Sequence, residues 1–496
     1  MGIVIRQSIK GTFVNYIGVA LGIVMQFVVV TRFVEPDVLG LTQLIYNVGI
    51  LFSTLCLLGV TASGMRYYPY FHDSAKKDNG FLFYYLLLPV VGCIVFGIVY
   101  LLLREPIIGY FGEKSPAFTD YFYWVLPLMM ILTFWSVGET YANIFMRIAI
   151  PKAVREIGMR LFLLAAYLSY AFGLVGVSGM IAMMYGGYAV CMLTTGGYAL
   201  HIGGGTLKHD WNCLTRAMWR KIVLFSGFII SSSVAGQILA FIDAMMLSSL
   251  QGLYSMGVYT IANYMSNIVN MPSRSISSIA SPIAAQALKD GDMPAAQKQY
   301  RLVSLHQFLA SALLLALVWV TLDDIFAIIP NGDIYAEGRW AVLFLGLMQI
   351  VNCTFGFGGT LIGYSKYYWV TLVFSVLLTF LGIYTNLYCI PRWGITGAAV
   401  ATLTSATVSC ILQQIVVQWL LHTNPLTWAH LRGLIVVVIL LCVDLVLPSL
   451  IDVSPWLDVF VRGGVFVVLA TCLVYVMRIS EQVNRLVDSY VLRRKS

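Results

Sequence analysis

Long uncharged stretches separated by short polar segments set the pattern of this chain. Residues 161–207 contain no Asp, Glu, Lys or Arg, which is enough for two helices of about 20 residues across hydrocarbon. Similar runs separate Lys10 from Arg32, Asp37 from Arg66, Asp78 from Arg104, Arg339 from Lys366 and Lys366 from Arg392. The pattern predicts helices near 11–33, 40–62, 81–103, 121–145, 158–175, 179–201, 222–247, 254–281, 303–329, 340–363, 368–390, 395–420, 431–450 and 457–478. A barrel would need short strands of alternating polarity instead, so the expected fold class is an all-α polytopic membrane protein with fourteen transmembrane helices. The apolar stretch after Lys10 is too long for the apolar core of a cleaved signal and reads as the first span.

Composition agrees with the pattern. Of 496 residues, 59% are hydrophobic and only 10% are charged, far below the charged share that solvates a soluble domain. The formal net charge of +8 could suggest a nucleic-acid partner, but its distribution argues otherwise. With the N-terminus inside, 24 of the 30 basic residues fall in cytoplasmic segments, leaving Arg32, Arg104, Lys114, Arg339, Arg392 and Arg462 outside. This is a positive-inside pattern, and it places both termini in the cytoplasm. No nucleic-acid partner is expected. No phosphate-binding Gly-x-x-x-x-Gly-Lys-[Ser/Thr] motif occurs, so ATP is not expected to power the chain. The connections are too short for a folded catalytic domain. The six histidines show no metal-ligand spacing and the nine cysteines are scattered. No metal, cofactor or disulfide is assigned.

The chain also repeats itself. Gly176-Val177-Ser178-Gly179 resembles Gly394-Ile395-Thr396-Gly397 at an offset of 218, and Gly40 aligns with Gly257 at 217. The second register pairs Gln26 with Asp243. The implied organisation is an N-terminal six-helix lobe (1–201), a cytoplasmic linker (202–221) and a second six-helix lobe (222–420). Two additional helices follow within 431–478, then a basic tail (479–496). Parallel repeats around a midplane site are a transporter plan.

Several segments resemble the multidrug/oligosaccharidyl-lipid/polysaccharide exporter superfamily, in its polysaccharide-flippase branch. They are Thr31-Arg32-Phe33-Val34-Glu35-Pro36-Asp37-Val38-Leu39-Gly40, Ile242-Asp243 followed by Gly257-Val258-Tyr259 and Ala262, and Ser281-Pro282. The Gly-x-[Ser/Thr]-Gly starts at Gly176 and Gly394 also fit. The resemblance implies two helical lobes working by rocker-switch alternating access. It implies export of an oligosaccharide on a polyprenyl pyrophosphate across a bacterial inner membrane, for surface polysaccharide such as lipopolysaccharide O-antigen. Membrane lipids, glycosyltransferases and a polysaccharide polymerase are the partners to expect of such a protein.

Residue spacing supplies candidates for that work. Asn263, Asn267, Asn270 and Arg274 share one helix face, as do Ser136, Glu139, Asn143 and Arg147. Gln43, Asn47, Thr54 and Thr61 mark a third face that runs toward Arg66. Such faces are costly against lipid and should meet protein or water. Asn47, Asn143, Asn263, Asn267 and Asn270 are therefore candidates for lining a polar cavity, with interhelical hydrogen bonding the alternative. Arg66, Arg147 and Arg274 are candidate pyrophosphate ligands or, equally, interfacial anchors. Glu139 reads either as a structural ion pair or as an ion-coupling carboxylate. Asp243 could bind H+ or Na+, or pair with Arg32 as an outer gate. Asp444 receives no transport role, and Asp323-Asp324 reads as a solvated helix cap. The competing functions are a cation-coupled multidrug exporter of the same superfamily and, from another class, a polytopic glycosyltransferase or polymerase.

Overall fold

The computed structural model describes residues 14, 17–71, 80–145, 147–203, 216–367, 369–446, 454–482, 484 and 488. Parts of the expected first span, of the linker 202–221 and of the basic tail lie outside them, as do Lys76, Lys77 and Cys213. Among the described residues the regular structure is helical, without strands. Ten helices are long and apolar enough to cross a membrane. They cover eleven of the fourteen expected spans, because the helix Trp369–Leu421 contains two. Its two halves meet at Gly394, whose backbone is left-handed at φ 53°. The expected spans at 11–33, 158–175 and 254–281 are not among those ten: they are described as the helix Ile17–Phe33, the helical stretch 149–171, and the pair Leu253–Val269 and Met271–Lys289.

Two compact units form, Met1–Gly257 and Val258–Ser496. The first holds α1 (Ile17–Phe33), α2 (Pro36–Cys56), α3 (Val60–Phe71), α4 (Phe81–Leu102), α5 (Arg104–Phe111), α6 (Val125–Ile144), α7 (149–171), α8 (Val177–Gly203) and α9 (Arg216–Gln251). Glu35 is extended and Pro36 opens α2, as expected where proline holds its predecessor out of the helical region and donates no needed N–H. The span expected over 40–62 ends early. Leu58 and Gly59 take left-handed backbones at φ 47° and 69°, which stops α2 and restarts the chain as α3. Thr61 therefore does not continue the polar face of Gln43, Asn47 and Thr54.

Within this unit α6 packs against α2, α3, α4 and α8, and α9 packs against α2 and α3. The boundary at Gly257 thus differs from the lobes read from the repeat, which begin the second half at 222. Gly40 and Gly257, the repeat-related pair, lie against each other's helices. A Cβ on Gly40 would overlap the carbonyl oxygen of Leu253, and one on Gly257 that of Pro36. Small residues at both positions let the two backbones touch.

The second unit contains α10 (Leu253–Val269, begun in the first unit), α11 (Met271–Lys289), α12 (Met293–Val320), α13 (Leu322–Ile328), α14 (Arg339–Tyr364), α15 (Trp369–Leu421), α16 (Trp428–Val446) and α17 (Pro455–Val476). The single helix expected over 254–281 breaks at Asn270, because Pro272 sits at the start of α11 and cannot continue the preceding hydrogen-bond ladder. Asp292 caps α12 by accepting from the Ala295 backbone N–H at 2.9 Å. α12 packs against α11 and α14 on one side and against α16 and α17 on another.

A charged clasp joins these outer helices. The Arg462 guanidinium, 9% exposed, meets Asp324 at 3.3 Å, Asp458 at 3.4 Å and Asp444 at 3.6 Å. It also donates to the Val320 carbonyl at 3.3 Å. Asp323-Asp324 is therefore not simply a solvated cap. Asp323 pairs with Arg339 at 2.9 Å near solvent, whereas Asp324 is drawn under Arg462.

Two outcomes follow for stability. Gly40→Ala should cost about 1–3 kcal/mol through overpacking, read as a lower melting temperature in detergent. Gly186→Ala, with open space around its position, should change little. Arg462→Met should cost about 3–5 kcal/mol by leaving carboxylates uncompensated, and adding Asp444→Asn should recover part of that loss. An unchanged melting temperature for Arg462→Met would show that the clasp carries no stability.

Candidate functional site

The polar groups of the first unit gather on α1, α2, α6, α7 and α8. On α2, the Gln43 side-chain amide donates to Asn47 Oδ1 at 3.0 Å. Asn47 is 1% exposed, and its Nδ2 has no hydrogen-bond partner among the described residues. Asn143 Oδ1 on α6, Gln26 Oε1 on α1, Thr195 Oγ1 on α8 and Trp135 Nε1 on α6 are buried in the same condition. Buried polar atoms are nearly always hydrogen-bonded. Five such atoms lie within this one unit.

Glu139 is held. Its Oε2 accepts from Arg155 Nη1 at 2.6 Å, so the ion-pair reading of this carboxylate describes its geometry. Arg155 sits in a π-helical segment of α7, Val154–Gly158, whose wider turn re-aims the side chain. Its guanidinium lies 6.0 Å from the Trp135 ring centroid, and Trp135 and Tyr46 both approach the Tyr188 ring. Sequence reasoning read Arg155 only as part of a basic topology segment. A second π segment, Met25–Val30, carries Gln26. Next to it, Gly18 and Gly22 lie against Glu156 and Arg160 of α7, which pair with each other at 3.1 Å. The Gly-x-x-x-Gly spacing was the available signal for that close approach.

The remaining first-unit candidates lie at helix ends. Arg66 on α3 is exposed, with its guanidinium 4.5 Å from the Phe225 ring centroid and 5.6 Å from that of Tyr67. Arg147 is exposed in the turn between α6 and α7. Arg32 is exposed at the end of α1, 5.3 Å from the Phe33 ring centroid. Asp243 is half-buried on α9. Arg32 and Asp243 belong to the same compact unit, whereas the repeat set them in opposite lobes.

In the second unit the amide stripe is partly knitted into the helix packing. Asn267 donates to the Asn263 carbonyl at 2.8 Å and to Asn263 Oδ1 at 3.1 Å. Its own Oδ1 accepts from Gln349 of α14 at 3.3 Å. Asn270 Oδ1 accepts from the Cys353 thiol at 3.6 Å. One turn beyond the break, Gln307 of α12 donates to Ser277 Oγ at 2.7 Å and to the Ser273 carbonyl at 3.2 Å. Gln307, Gln349 and Cys353 were not singled out from sequence, because isolated polar residues on long apolar helices carry no periodic signal. Arg274 lies past the break on α11 and is exposed. The stripe thus has three half-buried amides on one segment and a free-standing cation on the next. Among the described residues, no group of three or more His, Cys, Asp or Glu could hold a metal ion.

Comparison with known proteins agrees with this build. Residues 6–287 match the family model described as polysaccharide biosynthesis protein, and residues 229–388 match the MatE model. No curated protein matches the chain. A solved structure of the lipid II flippase MurJ in an inward closed conformation superposes with a TM-score of 0.71 at 14% identity, over 96% of this chain and 100% of that one. An inward-facing multidrug resistance MATE family transporter of the MOP superfamily gives 0.64 at 13% identity, over 82% and 94%. An outward-facing transporter of that description gives 0.56 at 12%, over 85% and 95%. At such identities the likeness is one of fold. With more than half its residues matched, this multi-pass membrane chain belongs to the polysaccharide biosynthesis protein family and is built on the fold of the multidrug/oligosaccharidyl-lipid/polysaccharide exporters.

Proposed function

We propose that the chain is a flippase carrying a polyprenyl-pyrophosphate-linked oligosaccharide across a bacterial inner membrane for surface polysaccharide assembly. The family match over residues 6–287 carries this reading, and the fold shared with a lipid II flippase supports a lipid-linked cargo. The physical requirement is to give a sugar chain hydrogen bonds where hydrocarbon offers none. The amides of Asn47, Asn143, Asn263, Asn267 and Asn270 would serve the glycan. Arg66, Arg147 and Arg274 would meet the pyrophosphate with charge-assisted bonds. The polyprenyl tail would stay in lipid while two lobes alternate access in a rocker-switch cycle, with both termini in the cytoplasm. Glycosyltransferases would supply the cargo and a polymerase would consume it.

A second reading, cation-coupled export of small drugs, draws on the MatE match and the multidrug transporter folds. Glu139 weighs against it, since the carboxylate that a coupling H+ or Na+ would need is engaged by Arg155 at 2.6 Å. If the flippase is coupled, Asp243, half-buried on α9, is the other candidate carboxylate, with Arg32 as its gating counter-charge.

The test is reconstitution of the full chain in liposomes with a fluorescent polyprenyl-pyrophosphate oligosaccharide on one leaflet. The label should cross at a protein-dependent rate, and Arg274→Ala should slow it by about tenfold, the worth of a charged hydrogen bond. A label confined to its starting leaflet, while a cationic dye is moved in parallel liposomes, would replace this reading with the second one.

A further inference from the structure

The second unit contains a cavity of about 820 Å³ that the transport reading does not use. It lies where the C-terminal end of α11, the N-terminal end of α12, the α14–α15 connection and the chain leaving α15 converge. Its lining includes Lys289, Lys366, His422, Gln297, Tyr367 and Thr423. Two lysines and a histidine with no lining carboxylate make a basic pocket. The nearby acids are turned elsewhere: Asp290 accepts from Gln286 at 2.8 and 2.9 Å, and Asp292 caps α12.

The walls of this pocket are built. Gln297 clamps the segment after α15 from both sides, donating to the Asn424 carbonyl at 2.7 Å and accepting from the Asn424 N–H at 2.8 Å. Gln414 donates to the Thr423 carbonyl at 3.1 Å and accepts from Tyr300 at 2.7 Å. Between these clamps His422 takes a left-handed backbone at φ 53°, a conformation costly to a residue with a side chain. Thr423 is 1% exposed, and its Oγ1 has no hydrogen-bond partner among the described residues. Thr423 thus belongs to a closely held wall of a cationic cavity. The Lys366 ammonium stands 5.1 Å from the Tyr367 ring centroid.

The surroundings suggest depth in the membrane. Tyr364, Trp369, Trp419 and Trp428, on the same helix ends, are all exposed. Exposed Trp and Tyr at the ends of apolar helices mark the headgroup level of a bilayer, where basic pockets between helices take anionic headgroups.

We propose that this cavity is a binding site for a phosphate-bearing group, held by Lys289 and Lys366. The group is either the headgroup of an anionic phospholipid or a soluble phosphate. The site is independent of the cargo, so a failed translocation assay leaves it standing and its own failure leaves the flippase reading standing.

The experiment titrates the full-length chain in detergent with dioctanoyl phosphatidylglycerol, dioctanoyl phosphatidylcholine and inorganic phosphate, following thermal stability and tryptophan fluorescence. Phosphatidylglycerol should stabilise the chain and phosphatidylcholine should not. The double variant Lys289→Gln, Lys366→Gln should weaken phosphatidylglycerol binding by about tenfold or more, with the unliganded melting temperature kept. Lys289→Arg, Lys366→Arg should retain binding. A lysine-dependent response to phosphatidylglycerol alone identifies a lipid headgroup. One that inorganic phosphate reproduces or competes away identifies a soluble phosphate. Equal responses to both lipids, equal binding by wild type and the glutamine variant, or no response to either phosphate probe would overturn the proposal.

Discussion

A polar group at hydrocarbon depth must find its partner within the protein or in water that the protein admits. Most of this chain's organisation follows from that constraint. It makes the backbone helical, gathers amides onto shared faces and brings distant charges together. The Arg462 clasp shows the same demand for partners among buried charges at helix ends. One guanidinium on α17 draws carboxylates from α13, α16 and its own helix. The same rule joins Arg155 to Glu139 across the break between α6 and α7, and Gln349 to Asn267 across two helices.

Against this background the polar groups fall into two kinds. Some are closed on one another, such as Arg160 with Glu156 or Gln307 with Ser277, and hold helices in register. Others keep unused capacity: the Asn47 amide nitrogen, the Asn143 and Gln26 carbonyl oxygens, and the exposed guanidinium groups of Arg66, Arg147 and Arg274. A membrane chain retains the buried members of this second kind at a cost, and we attribute that cost to handling a polar cargo. In the proposed function the amides serve sugars and the arginines serve an anion. The structural ion pairs tie helices together within each unit.

The class of fold was legible because hydropathy reports directly on solvent. Charge-free runs located most spans, and the glycine-centred repeat identified two positions, Gly40 and Gly257, where helices touch. The break at Gly394 was visible in its Pro-Arg-Trp-Gly surroundings. The break at Leu58-Gly59 was not, since it interrupts an otherwise continuous apolar pattern, whereas the one at Asn270 had its signal in Pro272. π-helical segments at Met25–Val30 and Val154–Gly158 have no comparable composition signal, so the new aim of Arg155 toward Glu139 could not be read from spacing. The same holds for Asp324. Adjacent aspartates at a helix end look solvated until the partner, 138 positions later, is known.

The claim on which the account turns is that the amide faces border a water-filled route that the glycan lipid occupies. Single cysteines at Asn143 and Asn263 in a cysteine-free chain, probed with a membrane-impermeant thiol reagent in liposomes, test it most directly. The account predicts that both positions react and that a polyprenyl-pyrophosphate oligosaccharide slows the reaction, while a cysteine at exposed, apolar Leu224 stays unreactive. Unreactive cysteines at both amide positions, or reaction rates indifferent to the glycan lipid, would contradict it.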